Sequence, residues 1–547
     1  MRKIITRIFQ YPLILIFVFS LFIRTINLQE IPVGFHSDEA RVAWNSLSIL
    51  KTGRDDWGNL LPLYYNTFGD YRPAAILYAT IPSIITFGRT IFAVRFPSAL
   101  FGSLAIFPLA YIATQILKRK DKIAGISAAF LWAITPWTIA TSRATSEVVI
   151  STTIALTGLA LFIRALSTKR NNKKYLVAGF ALLAMSTFFY HTARILVPLY
   201  WITTMIYFKK ELIKLHVAKV ASICAVLLLL LTIIFSFGQA SRGRLAQVSI
   251  VSANVLGAKN ESLQQNKPGA VSRLFTLSRM VTIQYATYLS PQFLIGDIAK
   301  PVRYMTSETG LISVATGFLF IIGISLIIKK KICSFPLALL LLSPLPAAIT
   351  IEDTPNLHRA FFMLPFLIVI AAQGLASLKH KSVLFLPLLV ISILSFFGFL
   401  SSYFGVQSGE IATYRNGSAK EMALYLNEVK SQYSKIYVTN DPDSPFPWFA
   451  FFGDKNPEEF NKFAQQRTEG IWNYENIIFT VSRCPSAAAL DKKSSELGTI
   501  LVVDGYKCEA DSIAKDHPEA KIKKEYAYPN GEVVYRLWER EAITNRK

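Results

Sequence analysis

The chain has 547 residues, 52% of them hydrophobic and 17% charged, with a mean hydropathy of +0.38. A soluble globular protein of that length carries more charge, and the formal net charge of +23 is accompanied by no nucleic-acid-binding motif. A large soluble α/β enzyme is also excluded, because its buried strands are shorter than apolar runs of about 20 residues, the length that crosses a bilayer core as a helix. The first run, about 8–27, follows Met1-Arg2-Lys3 and precedes Asn27-Leu28-Gln29-Glu30, with no small-residue cleavage site. It reads as an uncleaved first span with its N-terminus inside. Further runs lie at about 97–117, 123–140, 147–166, 175–190, 194–208, 218–237, 310–328, 334–350, 360–378 and 383–403.

The basic clusters sit between these runs: Lys118-Arg119-Lys120-Asp121-Lys122, Lys169-Arg170 with Lys173-Lys174, Lys209-Lys210 and Lys329-Lys330-Lys331. Alternate threading places every one of them inside, as short basic loops require. Loops 28–96, 238–309 and 351–359 and everything after 404 then lie outside. Residues 73–88 are short and contain Pro82. They are expected as a helix at the outer interface, which gives about eleven spans; the alternative is about thirteen, with three crossings between 73 and 117.

From about 410 to 547 the chain turns polar. Strand-like runs such as Lys435-Ile436-Tyr437-Val438 and Thr499-Ile500-Leu501-Val502-Val503 alternate with helical stretches such as Ala419 to Val429, which predicts a small α/β domain. It contains no Gly-rich phosphate loop. Cys224 falls in a span and Cys333 beside a basic loop; Cys484 and Cys508 share the polar region and are available to pair if that region lies outside the cytoplasm. The expected organisation is therefore a transmembrane part, 1–405, with its outer loops, and an extracytoplasmic α/β domain, 410–547.

Charged residues close to a membrane need a reason, and here they gather at outer span ends. His36-Ser37-Asp38-Glu39-Ala40 follows the first span; it offers a carboxylate base, or a Ser37 or Asp38 cap for a helix over Ala40–Leu50. Tyr71-Arg72-Pro73 leads into the interfacial helix. Thr135-Pro136-Trp137 is followed by Ser142-Arg143 and Glu147, and Tyr190-His191-Thr192-Ala193-Arg194 forms another outer turn. Glu352-Asp353 and His358-Arg359 lie between two spans, and the long outer loop carries Gly296-Asp297 and Arg303 after an amphipathic stretch from Val271 to Tyr285. Singly, each His or Arg reads as an interfacial anchor. Together, cations facing a few carboxylates suit a phosphate-bearing substrate.

In this order the motifs resemble the GT-C superfamily of glycosyltransferases, specifically the family 39-like enzymes, which include protein O-mannosyltransferases and the lipid A aminoarabinose transferase. The resemblance covers about residues 8–405. Its carriers are Asp38-Glu39; Arg72-Pro73, with Ala74 in place of a second Pro; Pro136, Ser142-Arg143 and Glu147, where relatives more often have Asp; Tyr190, His191 and Arg194; Ser290 to Leu294 with Gly296-Asp297; and Leu345-Pro346-Ala347, Thr350, Glu352 and His358-Arg359. It implies a polytopic α-helical membrane enzyme whose active site is extracytoplasmic. The donor would be a polyprenyl-phosphate sugar, and the acceptor a hydroxyl on a protein, glycolipid or cell-wall glycan.

The resemblance assigns the base to Asp38 and predicts inversion at the anomeric carbon. Glu39 and Glu147 would orient the acceptor or hold cations in place. Arg72, Arg143, Tyr190, His191, Arg194, Arg303, His358 and Arg359 form the expected substrate-binding set, with their cations meeting the phosphate. Some relatives use a divalent metal, but no ligand spacing here demands one, and none is expected. A flippase of polyprenyl-linked glycans is the alternative; it would place charges near mid-span and repeat one half in the other. A catalytically inactive assembly subunit is a third reading, which the presence of Asp38 opposes.

Overall fold

The computed structural model describes residues 2–67, 70–116, 122–167, 172–237, 249–250, 270–304, 306, 309–378, 382–405, 407–441, 443–464, 472–490 and 498–541. Residues 118–121 and 169–170 of the basic clusters, and much of the outer loop 238–309, lie outside them. The chain divides into two compact units. One comprises Met1–Ile26, Leu63–Ala75 and Arg95–Gly405; the other comprises Asn27–Pro62, Ile76–Val94 and Val406–Lys547.

The first unit is helical. Among the described residues, four helices are long and apolar enough to cross a membrane: Ile91–Gln115, Glu147–Ser167, Ala218–Phe235 and Val383–Phe404. A fifth candidate is the pair Lys122–Ile134 and Pro136–Ser142, bent by 56°, because Pro136 lacks the amide that would carry the helix through. The first expected span and the runs 310–328, 334–350 and 360–378 fall on shorter apolar helices, Tyr11–Thr25, Val314–Ile328, Phe335–Ala348 and Phe361–Ser377. Runs 175–190 and 194–208 become Asn172–Ser186 and His191–Tyr207. The turn between them is closed by amides of Thr187, Phe188 and Phe189 bonded three residues back.

Exposure separates two kinds of helix. Glu147–Ser167 is mostly buried, whereas the hydrophobic window of Val383–Phe404 is only 17% buried. Val383, Leu386, Leu394 and Phe397 point outward, as do Val226, Ile233 and Ile234 on Ala218–Phe237. Helices so apolar on an outer face need lipid around them, so the chain is a multi-pass membrane protein. Its buried helices touch through small residues. A Cβ on Gly323 would stand 2.1 Å from the Ile370 carbonyl, and one on Gly374 would stand 2.1 Å from that of Leu319, a close approach typical of packed membrane helices. This unit also holds a hairpin that the sequence reading lacked, β1 (Tyr64–Thr67) antiparallel to β2 (Asp70–Pro73), with Tyr65 opposite Arg72.

The second unit is built on a six-stranded sheet of order β4-β5-β3-β6-β8-β7. Its strands are β3 (Lys435–Thr439), β4 (Trp472–Tyr474), β5 (Ile477–Thr480), β6 (Ile500–Asp504), β7 (Ala520–Ala527) and β8 (Val533–Arg540). β3 runs parallel to β5 and β6, and the remaining pairs are antiparallel. The expected strands fall on β3 and β6, and the expected helix is Ala419–Val429. β6 is buried throughout, as a strand covered on both faces should be. Cys484 and Cys508 form a disulfide, leaving Cys224 and Cys333 as free thiols.

Residues 27–62 belong to this unit. Trp448 donates its indole N–H to the Phe35 carbonyl at 2.9 Å. Trp44 sits edge-on to Phe446 and Phe460, at 5.8 and 5.5 Å. Helix Ala75–Phe87 is present where the short run containing Pro82 was expected.

Candidate functional site

Asp38 occupies the first turn of helix Ser37–Thr52, which starts earlier than the expected Ala40. The cap is His36 rather than Ser37 or Asp38. The Asp38 amide donates to His36 Nδ1 at 3.1 Å, and the His36 amide donates to Glu39 Oε2 at 3.1 Å, a reciprocal capping box. The Asp38 carboxylate lies 3.6 Å from the same Nδ1. The box therefore fixes the turn while the Asp38 carboxylate remains an acceptor, 18% exposed. A carboxylate at a helix N-terminus also suits the macrodipole.

Glu39 points elsewhere. Its side chain is 2% exposed and forms an ion pair with the fully buried Arg415. The cation it holds, Arg415, was outside the expected set. The next residue, Asn416, accepts from the Ser37 amide at 3.1 Å through Oδ1, and its Nδ2 lies 3.3 Å from Asp443. Gly34 permits this approach: its φ is +83°, and a Cβ there would meet the Arg415 carbonyl at 2.6 Å. Arg41 Nη2 lies 4.0 Å from the other Asp443 oxygen. Arg415, Asn416 and Asp443 lie far from Asp38 in sequence and belong to no local motif, so pattern reading had no signal for them.

In the helical unit, several of the expected turns meet at His358. Its Nε2 lies 3.0 Å from the Ser146 hydroxyl, one residue before Glu147. Tyr304 stacks on its ring at 4.2 Å, and Tyr190 meets it edge-on at 6.1 Å. The guanidinium of Arg303 stands 5.4 Å from the Tyr304 ring, a cation–π distance. Residues 146, 190, 303–304 and 358 thus form one polar–aromatic cluster. Beside it, Arg359 donates to Thr350 Oγ1 at 2.9 Å and to the Glu352 carbonyl at 2.8 Å, and pairs with the Glu352 carboxylate. Its own amide is capped by Asn356 Oδ1 at 2.9 Å.

Arg194 and His191 form a second group in this unit. Arg194 Nη1 lies 3.2 Å from His191 Nδ1, and its guanidinium covers the rings of Phe235 and Tyr64 at 4.7 and 5.1 Å. Tyr64 lies on β1, and Arg72 on its partner strand β2. Arg143 is different in kind. It is fully buried, donates to the Ile23 carbonyl at 2.7 Å, and lies under Phe404 at 4.6 Å. Those contacts tie three helices together, as an anchor would. Glu147 opens helix Glu147–Ser167, where its charge complements the dipole. Among the described residues, no three His, Cys, Asp or Glu side chains are grouped to hold a metal ion.

The fold is shared with ArnT from Cupriavidus metallidurans. Its apo form matches with a TM-score of 0.54 at 11% identity, and its form bound to undecaprenyl phosphate with a TM-score of 0.55 at 12% identity; each match covers 97% of this chain and 98% of that one. The chain has the GT-C fold. An oligosaccharyltransferase from Archaeoglobus fulgidus, in complex with zinc and sulfate, matches with a TM-score of 0.48 at 12% identity, over 96% of this chain and 72% of that one. Residues 73–236 match the family described as dolichyl-phosphate-mannose-protein mannosyltransferase. No curated protein matches. The family match spans Arg143, Glu147, Tyr190, His191 and Arg194; it begins after Asp38 and ends before Arg303, His358 and Arg359.

Proposed function

We propose that the chain is an inverting glycosyltransferase that moves a sugar from a polyprenyl-phosphate donor to an extracytoplasmic acceptor hydroxyl. The observation that carries this reading is the match of residues 73–236 to the dolichyl-phosphate-mannose-protein mannosyltransferase family. The whole-length likeness to ArnT, one form of which holds undecaprenyl phosphate, supports it. Mannose fits the family description as the sugar, and protein, glycolipid and cell-wall glycan hydroxyls all fit as acceptors.

In the proposed step the acceptor oxygen attacks the anomeric carbon, and Asp38 takes the hydroxyl proton as the new C–O bond forms. The bond from the anomeric carbon to the phosphate oxygen breaks, and the electron pair leaves on polyprenyl phosphate. That leaving group is already an anion, so it needs no protonating acid. Charge gathering on it is met by cations drawn from Arg72, His191, Arg194, Arg303, His358 and Arg359, with Arg143 anchoring the helices that carry them. Tyr190 lines the same cluster as His358, and Glu147 and Glu39 hold groups in place. Nucleotide sugars are cytoplasmic, so a membrane-held donor suits chemistry outside. The Cys484–Cys508 disulfide supports an oxidising, extracytoplasmic side for the C-terminal domain, and the basic loops support a cytoplasmic N-terminus.

The test is purified enzyme incubated with a panel of radiolabelled polyprenyl-phosphate sugars beside the Asp38→Asn variant. We expect one sugar to be transferred and the variant to lose about 10²–10⁴-fold in kcat. Turnover that survives in the variant removes Asp38 as the base, and no transfer from any donor removes the reading.

A further inference from the structure

The loop after β3 brings a second carboxylate to the base. Asp443 is held by the Ser37 side chain and by Asn416, and Arg41 lies 4.0 Å from its Oδ1. Ser37 and Arg41 stand one helical turn apart, so they share a face of helix Ser37–Thr52. Asp443 therefore lies along the turn that carries Asp38. Burial pushes its carboxyl up from the usual aspartate range; Arg41 opposes that shift and the charge of Asp38 adds to it. The charge of Asp443 acts on the phenols of Tyr528 and Tyr535, and Asp441, in the same loop and paired with Arg483, acts on Tyr535 as well. On the helix itself the neighbours are the His36 cap and the Glu39–Arg415 pair.

We propose that Asp443 is a positioning residue for Asp38: it ties the first turn of that helix to the C-terminal domain and, once ionised, makes Asp38 a stronger base. The proposal rests on the reading of Asp38 as the base. Two neighbouring carboxylates release their protons in two steps that belong to the pair. Burial makes Asp443 hold its proton to higher pH than an ordinary aspartate. Ionisation of Asp443 at higher pH then adds a negative charge beside Asp38, which increases the affinity of Asp38 for the acceptor proton. The rate in the native chain should therefore rise twice with pH, and only the second rise should need Asp443.

The test is kcat and donor KM against pH for the native chain, Asp443→Asn and Asp443→Glu. Asparagine mimics the protonated carboxyl, so Asp443→Asn should match the native kcat below the second rise and fall to roughly one-tenth of it above that rise. Donor KM should not change, and Asp443→Glu should recover the second rise. A loss equal at every pH, or a changed donor KM with kcat intact, overturns the proposal. Should Asp443→Asn fail to fold, Arg41→Gln replaces it: without the opposing cation the second rise moves to higher pH, and an unmoved rise overturns the proposal equally. If Asp38→Asn itself keeps turnover, the base assignment has failed, and that result is distinct from any obtained at Asp443.

Discussion

The single turn from His36 to Glu39 divides three polar side chains among three tasks. His36 caps, Glu39 anchors, and the Asp38 carboxylate lies 3.6 Å from His36 Nδ1 with 18% of its side chain exposed. Capping and catalysis were competing readings of this motif, and the cap contacts now fall on His36 and Glu39, so the two are compatible. Removing one partner of the buried Glu39–Arg415 pair leaves an uncompensated charge, at a cost of about 3–5 kcal/mol. Glu39→Gln should therefore lower the unfolding temperature strongly while sparing donor KM in whatever fraction stays folded. Arg359 offers the complementary case. Its charge is shared with Glu352 and Thr350, and Arg359→Ala should raise donor KM by about tenfold, the value of a charge-assisted hydrogen bond. Unchanged donor affinity would take Arg359 off the phosphate. Lys455 provides a check on the second unit alone. Burial first, and the neighbouring charge of Lys430 second, pull its ammonium down to about 8. Below that pH it is protonated and inert, and above it the free amine reacts. Acylation at Lys455 should therefore rise with a midpoint near 8, about two pH units below an ordinary exposed lysine.

Among the elements, the apolar runs were legible because a lipid-spanning helix leaves a long unbroken signature. Their ends were less legible. Pro136 splits one run, and three-residue turns at Thr187–Phe189 close another, so the helices begin and stop at positions that hydropathy averages over. The hairpin β1–β2 was missed because each strand is only four residues long, too short for alternation to stand out. Close helix contacts also escape a hydropathy reading, since Gly323 and Gly374 count as weakly apolar yet allow backbones to touch. Gly323→Val should separate helix Val314–Ile328 from helix Leu364–Ser377 and abolish recovery of folded protein from detergent; normal yield would show that the contact is dispensable. In the sheet domain, the disulfide closes a loop of 24 residues between Cys484 and Cys508. Replacing both cysteines with serine should cost about 3 kcal/mol by chain entropy, read as a lower melting temperature of the C-terminal domain fluorescence.

For the whole molecule, the threading of basic loops predicts that Asp38 and the C-terminal domain face away from the cytoplasm. A cysteine introduced at exposed Asn530 should react with an impermeant maleimide added to intact cells, whereas protection until lysis would invert the topology. The amino-acid sequence by itself determined that the chain lives in a membrane, that a polar α/β domain follows residue 410, and which short polar motifs mark the span ends. It could do so because those properties are local: apolar length, charge next to a span, and alternation along a strand each involve neighbouring residues. Only the tertiary structure decided that residues 27–62 fold with the C-terminal domain, that Glu39 is consumed by Arg415, and that Asp443 joins the turn bearing Asp38. It also gathered Ser146, Tyr190, Tyr304 and His358 into one cluster. Most of these pairings span far more of the chain than any local motif, and a buried charge is satisfied by whichever partner the packed chain brings within reach, a condition that no local pattern encodes.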